Sequence, residues 1–513
     1  MINIDINGRI LEVEPGTTIL QAAQAAGISI PHLCYHEAFP PEGSCRMCLV
    51  QIEGYPKLEL ACSTQVKEGM KIMTESRVVN VARKSVLEFL LTEHPPDCPI
   101  CDKAGECKLQ DYFEEYGLFD SRYAEPKSRK QKKIEIGSNL LLDQERCILC
   151  TRCVRFLKHV TETGELGVLE RGIQAEINIY PGNPVSNNYS GNLTEICPVG
   201  AITDRDFRFR TRAWFLEEKP SICPFCSRGC AITIAYHPGF ARFDLPQRVY
   251  RIKARKNPNV NGNWICDIGR YGYPYMDNDR ALEIRFPEFA GKTDWPQAVE
   301  IITENIMRLV HMKRTERIAV AASTFLSNEE LYLIRKIFRE DLGISNIYFV
   351  DPSEGSGDDL LLTSERTPNR RGAVELGFAL DPPPAEGFKE NIELLFVFGN
   401  GINEKVETAL VQRIASIKMK FLFTAHKSSS ADHFDGILPV SLVAEKSGSL
   451  TNSEGIVQSF VPALDPPGDS RPLWSILTEL GRKMAIDFKT YRGYSDTTDI
   501  LREISREIQF FRK

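Results

Sequence analysis

The residues of this chain best suited to chemistry are its fifteen cysteines, all of which lie between Cys34 and Cys266. Residues 267–513 contain no cysteine. Cysteine used only as a small buried apolar residue would not be confined to one half of a chain. The odd number, without a readable secretory signal, argues against a disulfide framework. We therefore predict a metal-binding first half and a second half with a different task.

The first four cysteines follow the spacing C-x10-C-x2-C-x13-C; they are Cys34, Cys45, Cys48 and Cys62. Loop cysteines around a glycine, here Gly43, allow backbone N–H groups to approach the sulfurs and tune the potential of a [2Fe–2S] cluster. Structural zinc sites use similar numbers of thiolates but usually arrange them as two close pairs. The spacing favours a [2Fe–2S] cluster, with structural zinc as the alternative.

A second set holds three cysteines, Cys98, Cys101 and Cys107, and is one ligand short of a complete cluster. His94 lies just upstream, where Pro95 and Pro96 prevent a helix and hold the chain extended. A neutral imidazole in place of a thiolate generally raises the cluster potential. We expect His94 to be the fourth ligand of a [4Fe–4S] cluster. The alternative is a surface turn histidine, with water or nothing as the fourth ligand.

A third set opens with three cysteines at C-x2-C-x2-C spacing and ends in a distant Cys-Pro pair. Its members are Cys147, Cys150, Cys153 and Cys197. This is the pattern of a bacterial-type ferredoxin [4Fe–4S] cluster. In two-cluster ferredoxins the Cys-Pro cysteine serves the other cluster, but only one such run occurs here. Cys197 is therefore predicted to complete its own cluster.

The last four cysteines, spaced C-x2-C-x3-C-x35-C, are Cys223, Cys226, Cys230 and Cys266. Four thiolates fit a third [4Fe–4S] cluster, with structural zinc as the alternative. With this set every cysteine is used once. The sequence therefore predicts one [2Fe–2S] and three [4Fe–4S] clusters.

Short elements must position the first set. Residues 2–6 alternate apolar and polar side chains, Asn7-Gly8 is a tight turn, and residues 9–13 return as a second strand. Residues 19–26 are a short helix that Gly27 ends. A hairpin, a helix and a cysteine-rich loop in this order predict a ferredoxin-type β-grasp domain.

The second half alternates apolar strands with helical patterns. The predicted strands are 318–322, 346–350, 392–398 and 419–424, and the predicted helices are 328–338 and 405–417. This alternation indicates a parallel sheet in an α/β layer. No G-x-G-x-x-G sequence follows any of these strands, so the chain carries no nicotinamide or flavin fingerprint.

Three segments carry a family resemblance. They are P-x2-C-Y-x7-G-x-C-R-x-C at 31–48, C-P-I-C-D-x-A-G-x-C-x-L-Q at 98–110 and R-C-I-x-C-x-R-C-V-x-F at 146–156. In this order they resemble the signatures of the large iron–sulfur subunit, the G subunit, of bacterial NADH–quinone oxidoreductase (complex I). Ala104 departs from the family's Gly or Ser. The resemblance covers residues 1 to about 215 and implies that His94 is a cluster ligand.

The fourth set is similar to the cluster domain of molybdenum and tungsten bis-pterin oxidoreductases. Ile268 stands where catalytic members usually place a lysine between cluster and pterin, and residues 445–458 resemble the family's E-x-x-G-T-x-x-N-x-E-G-R-x-Q stretch, with Ser449 and Ile456 as departures. Catalytic members are longer and need a metal ligand such as cysteine. We expect a short pterin-type domain without molybdopterin that serves as scaffold.

The predicted fold class is multidomain, α+β and α/β. Four domains are expected: a [2Fe–2S] β-grasp domain (1–78), a His/Cys and ferredoxin-like [4Fe–4S] domain (79–215), a small β-rich bis-pterin-type cluster domain (216–278), and a Rossmann-like α/β domain without cofactor (279–513).

The resemblance implies an electron-transfer subunit without a substrate site, flavin or NAD of its own. Electrons would arrive from a flavoprotein NADH-binding subunit and its small [2Fe–2S] partner. They would pass through the [2Fe–2S], Cys147 and His94 clusters toward the hydrophilic subunits of a quinone module, with the fourth cluster off the path. The alternatives are a catalytic pterin oxidoreductase such as a formate dehydrogenase subunit, or a soluble NAD(P)-linked complex of the hydrogenase diaphorase or electron-bifurcating kind.

The net charge of −6 argues against nucleic-acid binding, and no apolar run approaches the ~18 residues of a membrane span. The N-terminus begins as a strand and contains no readable signal peptide. We expect a cytoplasmic protein, peripheral on the inner membrane through partner subunits only. The basic run at 127–133 is either a docking surface for an acidic partner or a solvated linker.

Overall fold

A computed structural model describes the chain except for residues 118–119, 240–242, 244, 246, 288–291, 353, 384–387, 389–390, 400–413, 428–430, 485–490, 492 and 513. Most of the helix predicted at 405–417 lies outside the described residues. The chain forms two compact units, Met1–Leu216 and Glu217–Lys513. Among the described residues, no helix combines the length and the apolar character needed to cross a bilayer.

The first unit opens with a five-stranded sheet of order β2-β1-β5-β3-β4. Its strands are β1 (Ile2–Ile6), β2 (Arg9–Val13), β3 (Leu49–Ile52), β4 (Glu59–Leu60) and β5 (Lys71–Met73). The predicted hairpin is confirmed, with Asn7 and Gly8 at positive φ in its turn. Helix α1 (Ile19–Ala25) begins at a capping box between Thr18 and Gln21 and buries Leu20 against the sheet.

The rest of the first unit consists of short elements joined by loops that carry the cysteines. The helices are α2 (Arg77–Leu91), α3 (Lys108–Tyr116), α4 (Arg152–His159) and α5 (Asn192–Ile196). The strands are β6 (Ile134–Glu135), β7 (Leu140–Leu142), β8 (Leu166–Leu169), β9 (Glu176–Ile179) and β10 (Ile202–Asp204). They form an antiparallel sheet of order β10-β7-β6 and a β8-β9 pair. Side-chain contacts must therefore fix much of the loop arrangement.

The basic run at 127–133 is bound within the first unit. The Nζ of Lys127 donates to the carbonyl oxygen of Thr92 at 2.9 Å, and the Nζ of Lys130 donates to that of Ala175 at 2.7 Å. Lys132 forms an ion pair with Glu145 at 2.5 Å. These three lysines therefore bind other residues of the first unit.

The second unit begins with an antiparallel meander and a short helix. These are β11 (Glu217–Ile222), β12 (Ala231–Tyr236), β13 (Val249–Ala254) and α6 (Asp267–Tyr271). The predicted parallel sheet follows and is confirmed, with order β15-β14-β16-β17-β18. Its strands are β14 (Ile318–Ala322), β15 (Ile347–Phe349), β16 (Leu394–Phe398), β17 (Met419–Thr424) and β18 (Gly436–Pro439).

Helices and a hairpin complete the second unit. They are α7 (Trp295–His311), α8 (Asn328–Ile334), α9 (Arg370–Glu375), α10 (Leu473–Lys483), α11 (Thr497–Glu507), β19 (Gly448–Thr451) and β20 (Val457–Phe460). Along β16, Leu394 and Phe396 face one apolar cluster while Leu395 and Val397 face another. The parallel sheet is therefore buried on both faces, as crossover connections require.

Candidate iron–sulfur sites

The first cysteine set lies in the loop between α1 and β3 and just after β4, and all four side chains are buried. The thiols of Cys34 and Cys45 are hydrogen bonded to each other, and so are those of Cys48 and Cys62. The backbone N–H groups of Leu33 and Cys34 also donate to the Cys45 sulfur, both at 3.4 Å. The loop thus brings the predicted set together and turns amides toward a sulfur.

Two positive-φ residues shape this loop, Gly43 at +69° and Arg46 at 57°. A Cβ at position 43 would approach the Leu60 side chain to 3.1 Å, so the glycine also serves close packing. The hydrogen bond from Cys45 lowers the pKa of the Cys34 thiol to about 5, and the same bond raises the pKa of Cys45. A thiolate is the form of cysteine that binds iron.

Three members of the second set, His94, Cys98 and Cys107, line a cavity of about 360 Å³ together with other residues. Cys98 is exposed in a short 3₁₀ turn, while Cys107 is buried directly before α3. Cys101 is buried and near enough to Cys98 for their charges to interact. The four residues of the predicted set therefore meet in one loop region.

His94 has a ring nitrogen that is free to bind a metal. One ring nitrogen hydrogen bonds to the backbone of Arg146, while Nδ1 is buried and has no partner in the part of the chain that the structure describes. Burial lowers the pKa of His94 to about 4, so the imidazole is neutral at physiological pH. Neutral imidazole is the metal-binding form of histidine, and a buried nitrogen that no protein group satisfies is what a metal-ligand role for His94 requires.

All four cysteines of the third set, Cys147, Cys150, Cys153 and Cys197, line one small cavity with apolar walls that include Leu142 and Ile202. The sequence-based pairing of Cys197 with the upstream run therefore has a spatial counterpart. Burial raises the pKa values of Cys147 and Cys150 to about 12. Such thiols give up their protons only when a cation replaces them.

The loop of the third set is held in an unusual backbone conformation. Leu149 and Thr151 have φ values of 52° and 58°, in the left-handed region that side chains other than glycine rarely adopt. The Leu149 N–H donates to the Cys147 sulfur at 3.4 Å as a result. Strain of this kind persists where the surroundings impose it, as at ligand-binding loops.

Residues beside the second and third sets are in direct contact. Arg146, next to Cys147, forms a two-point ion pair with Asp97, next to Cys98, with contacts of 3.2 and 2.6 Å. A Cβ at Gly200 would lie only 2.3 Å from the Cys101 sulfur. The glycine that closely follows Cys197 therefore provides the space in which Cys101 sits.

The first and third sets are joined by two arginines of α4. Arg155 donates to the carbonyl oxygens of Cys34 and Cys150, and its guanidinium lies 5.0 Å from the centre of the Phe39 ring. Arg152 donates to the carbonyl oxygens of Tyr35 and Ile196. The first, third and second sets thus form a continuous series within the first unit.

The fourth set gathers at one end of the β11–β13 sheet and at the start of α6, and all four cysteines are buried. Cys266 precedes α6, and its sulfur accepts the Gly269 N–H at 3.4 Å. A Cβ at Gly269 would lie 3.0 Å from the Cys223 sulfur, so this position needs glycine. Ile268, which stands where catalytic pterin enzymes have lysine, is 44% exposed.

The stretch that resembles the pterin-type sequence holds the loop of the fourth set. The side-chain amide of Asn452 donates to the carbonyl oxygen of Arg228 at 3.3 Å, and Arg228 pairs with Glu454. Gln458 donates to the carbonyl oxygen of Gly229 at 2.8 Å.

Among the residues described, no three His, Cys, Asp or Glu side chains are grouped so as to hold a single metal ion.

Sequence reasoning missed the roles of Arg146, Arg152 and Arg155. Arg146 and Arg152 were identified only as positions of the motif at 146–156. Cysteine spacing does not indicate whether a charged side chain nearby is buried. The sequence does contain a signal that could have indicated these roles: residues 146–155 hold three arginines together with three cysteines. Charged residues are rarely buried unless they are paired.

Four family models match separate parts of the chain. They are a 2Fe-2S iron-sulfur cluster binding domain (1–77), the NADH-ubiquinone oxidoreductase-G iron-sulfur binding region (83–122), the ferredoxin-like domain of NADH-quinone oxidoreductase subunit 3 (137–203) and molybdopterin oxidoreductase (382–483). The NADH-quinone oxidoreductase G subunit of Streptomyces coelicolor is 36% identical over 355 residues, which are 68% of this chain and 41% of that protein. The chain belongs to the G-subunit family of NADH–quinone oxidoreductase.

The sequence of this G-subunit family member is also similar to those of proteins that carry other names. The NADPH-Fe(3+) oxidoreductase alpha subunit of Geobacter sulfurreducens is 35% identical over 350 residues, which are 68% of this chain and 40% of that protein. A chain of an NAD+-reducing [NiFe]-hydrogenase solved in the H2-reduced state is 30% identical, covers 41% of this chain and 91% of that chain, and has a TM-score of 0.38. The chain spans about two fifths of the length of the two curated relatives named here.

Proposed function

We propose that the chain is an electron-transfer subunit of a multi-subunit NADH dehydrogenase, relaying electrons from a flavoprotein subunit toward quinone. The observation that carries the proposal is the continuous series of cysteine sets in the first unit. Arg152 and Arg155 join the first set to the third, and Arg146 with Asp97 joins the third to the second. Closely spaced one-electron centres in a series are what a relay needs.

The proposed ligands are the sixteen residues predicted from the sequence. Cys34, Cys45, Cys48 and Cys62 would hold a [2Fe–2S] cluster. Three [4Fe–4S] clusters would be held by His94 with Cys98, Cys101 and Cys107; by Cys147, Cys150, Cys153 and Cys197; and by Cys223, Cys226, Cys230 and Cys266. When bound, such clusters supply reversible one-electron transfer. The chain's own part is to provide thiolates, to direct amide N–H groups at sulfurs, and to exclude water by burial.

The partners follow from what the chain lacks. Its sequence carries no nicotinamide or flavin fingerprint, so hydride chemistry is assigned to a flavoprotein NADH-binding subunit with a small [2Fe–2S] partner. Hydrophilic subunits of a quinone module would accept the electrons. Membrane attachment, on the cytoplasmic face of the inner membrane, is assigned to these partners. The α/β part of the second unit is proposed to act as scaffold without molybdopterin.

The decisive experiment is metal analysis of the full chain purified anaerobically on its own, so that iron held by partner subunits is not counted. Four clusters predict about fourteen iron atoms per chain and no stoichiometric zinc. Iron near two or six atoms per chain, or one zinc per chain, contradicts the four-cluster assignment. Stoichiometric molybdenum or tungsten contradicts the scaffold role of the second unit and favours a pterin enzyme.

A second candidate is the electron-transfer subunit of a soluble NAD(P)-linked complex. The observation in its favour is the match to the Geobacter protein, whose identity and coverage nearly equal those of the Streptomyces protein. The two functions differ in partners. Membrane subunits that copurify with a tagged chain in mild detergent support the quinone-linked complex. A complex recovered complete from the aqueous fraction, and reducing a soluble acceptor, supports the second candidate.

A further inference from the structure

Arg152 and Arg155 are two buried cations that form hydrogen bonds to neutral oxygen atoms. Each residue is 6% exposed. Their hydrogen bonds go to the carbonyl oxygens of Cys34, Tyr35, Pro40, Cys150 and Ile196, with one further bond to the Thr151 hydroxyl. Carbonyl dipoles solvate a guanidinium but do not neutralise it. No carboxylate in the described part of the chain forms an ion pair with either group.

Their place in the fold makes both charges more costly. Arg152 is the first residue of α4 and Arg155 lies three positions on, so the two cations are neighbours on one helix face. The N-terminus of a helix carries partial positive charge and favours anions. Burying an unpaired charge raises the free energy of the folded protein unless an opposite charge is supplied. The arrangement therefore calls for an anion at this end of α4.

Cysteine sulfurs are the groups positioned to oppose Arg152 once they carry the negative charge of cluster ligands. Those that act on its charge are Cys150, Cys197, Cys34 and Cys45, which belong to the third and first sets. Arg146 provides the contrast within the same unit. That guanidinium lies beside Cys147 but is paired with Asp97 at 2.6 Å and with Asp143 at 3.5 Å. The junction between the third and second sets is thus already neutralised by protein carboxylates.

We propose that Arg152 and Arg155 are positioning residues that supply the counter-charge shared by the [2Fe–2S] cluster of the first set and the [4Fe–4S] cluster of the third. The inference rests on the proposed function, since it requires both clusters. A four-thiolate cluster is anionic, and reduction adds one more negative charge. Fixed cations nearby stabilise the reduced form of both clusters together. The two arginines therefore raise the reduction potentials of both clusters. Their hydrogen bonds also hold the loops of the first and third sets together.

The test is an EPR-monitored redox titration of the complex carrying Arg152→Gln or Arg155→Gln. Glutamine retains a hydrogen-bond donor and removes the charge. At the wild-type midpoint potential, each variant is expected to raise the oxidised-to-reduced ratio of the first and third clusters tenfold or more, equivalent to about 59 mV for a one-electron couple. The ratio for the His94 cluster should change less than threefold. Arg482→Gln is the control, because this arginine also donates to two carbonyl oxygens, those of Tyr491 and Tyr494, but lies in the second unit.

The charge-conserving variants Arg152→Lys and Arg155→Lys keep the test decisive. If the glutamine variants lose the two clusters, lysine variants that retain both support the proposal, and lysine variants that lose both overturn it. With wild-type iron content, an unchanged ratio in the glutamine variants, or an equal change at all three clusters, also overturns it. A wild-type complex without these EPR signals would refute the proposed function instead, so the two failures are distinguishable.

Discussion

Gln458 reaches across the second unit to hold Gly229, with its side-chain amide 2.8 Å from the glycine carbonyl oxygen. Gly229 lies between Cys226 and Cys230 at a φ of 61°, and a Cβ there would approach the Gln458 amide to 3.1 Å. The cysteine-free half of the sequence therefore shapes a cysteine loop. This contact gives the pterin-type sequence stretch a structural role beside the fourth cysteine set.

Replacing Gln458 with leucine should weaken the fourth cluster selectively. The change leaves the Gly229 carbonyl without its donor, which costs about 1–3 kcal/mol when the group is buried. Loss of such supporting contacts typically lowers metal affinity about 10- to 100-fold. We expect about four fewer iron atoms per chain after mild chelation, with the other EPR signals unchanged. Ser459→Ala, at the exposed neighbouring position of β20, is the control; equal iron loss in both variants would contradict the role of Gln458.

Gly200→Ala should remove the cluster of the second set. The new Cβ would lie 2.3 Å from the Cys101 sulfur. A free thiol could rotate away from this clash, but a thiolate bound to iron could not. The variant chain should therefore fold normally and lose the EPR signal of the His94 cluster. Gly493→Ala is a suitable control, because a Cβ there meets no atom within 4 Å; retention of all four iron atoms at the second set would show that Cys101 is not a ligand.

Local patterns in the sequence predicted much of this architecture. Alternation and turn residues identified the β1–β2 hairpin, and short apolar runs identified strands β14, β16 and β17 within one or two residues. Cysteine spacing predicted which cysteines the structure brings together. These features are local, or depend on ligands that recur at fixed intervals, so one sequence contains enough information to find them.

Features that depend on distant partners were not predictable. The helix expected at 328–338 becomes α8 followed by a π-helical turn at Arg335–Asp341. Its polar start is fully buried: Glu329 accepts the Ser449 N–H at 2.8 Å, across 120 positions. Hydrophobic periodicity predicts that such residues are exposed to solvent, because a local pattern contains no information about a partner 120 positions away.

Lys446→Met should destabilise the start of α8. Lys446 and Glu330 form a buried pair with side-chain exposures of 1% and 0%, in which both carboxylate oxygens lie 2.6 Å from Nζ. Removing one partner of such a pair costs about 3–5 kcal/mol, because the remaining charge is left uncompensated. Hydrogen exchange of the β19 amides should accelerate roughly 10²- to 10⁴-fold. Lys71→Met, which breaks an exposed pair with Glu53, should change exchange little.

A second substitution separates charge from packing at this pair. Adding Glu330→Gln to Lys446→Met removes the stranded carboxylate, so exchange at β19 should slow again toward the wild-type rate. If the double variant exchanges as fast as the single one, lost packing rather than an unpaired charge explains the effect.

The proposed role of His94 as a ligand leads to a specific prediction about the potential of the second cluster. His94→Cys replaces a neutral imidazole with a thiolate, which adds a negative charge to the ligands of the second cluster and should lower its potential. Its EPR signal should shift alone, because the other proposed ligand sets contain only cysteines. His159→Cys, at an exposed position near the end of α4, controls for the added thiol.

Removal of the ligand without a replacement gives the complementary result. His94→Ala leaves the cavity lined by Cys98 and Cys107 with one ligand fewer, so the cluster should lose an iron atom on oxidation and give a three-iron EPR signal. His94 Nδ1 is buried and has no hydrogen-bond partner among the described residues. A ring that only fills space would be replaceable by alanine with no spectroscopic change, and an unaltered spectrum in both variants would therefore exclude His94 as a ligand.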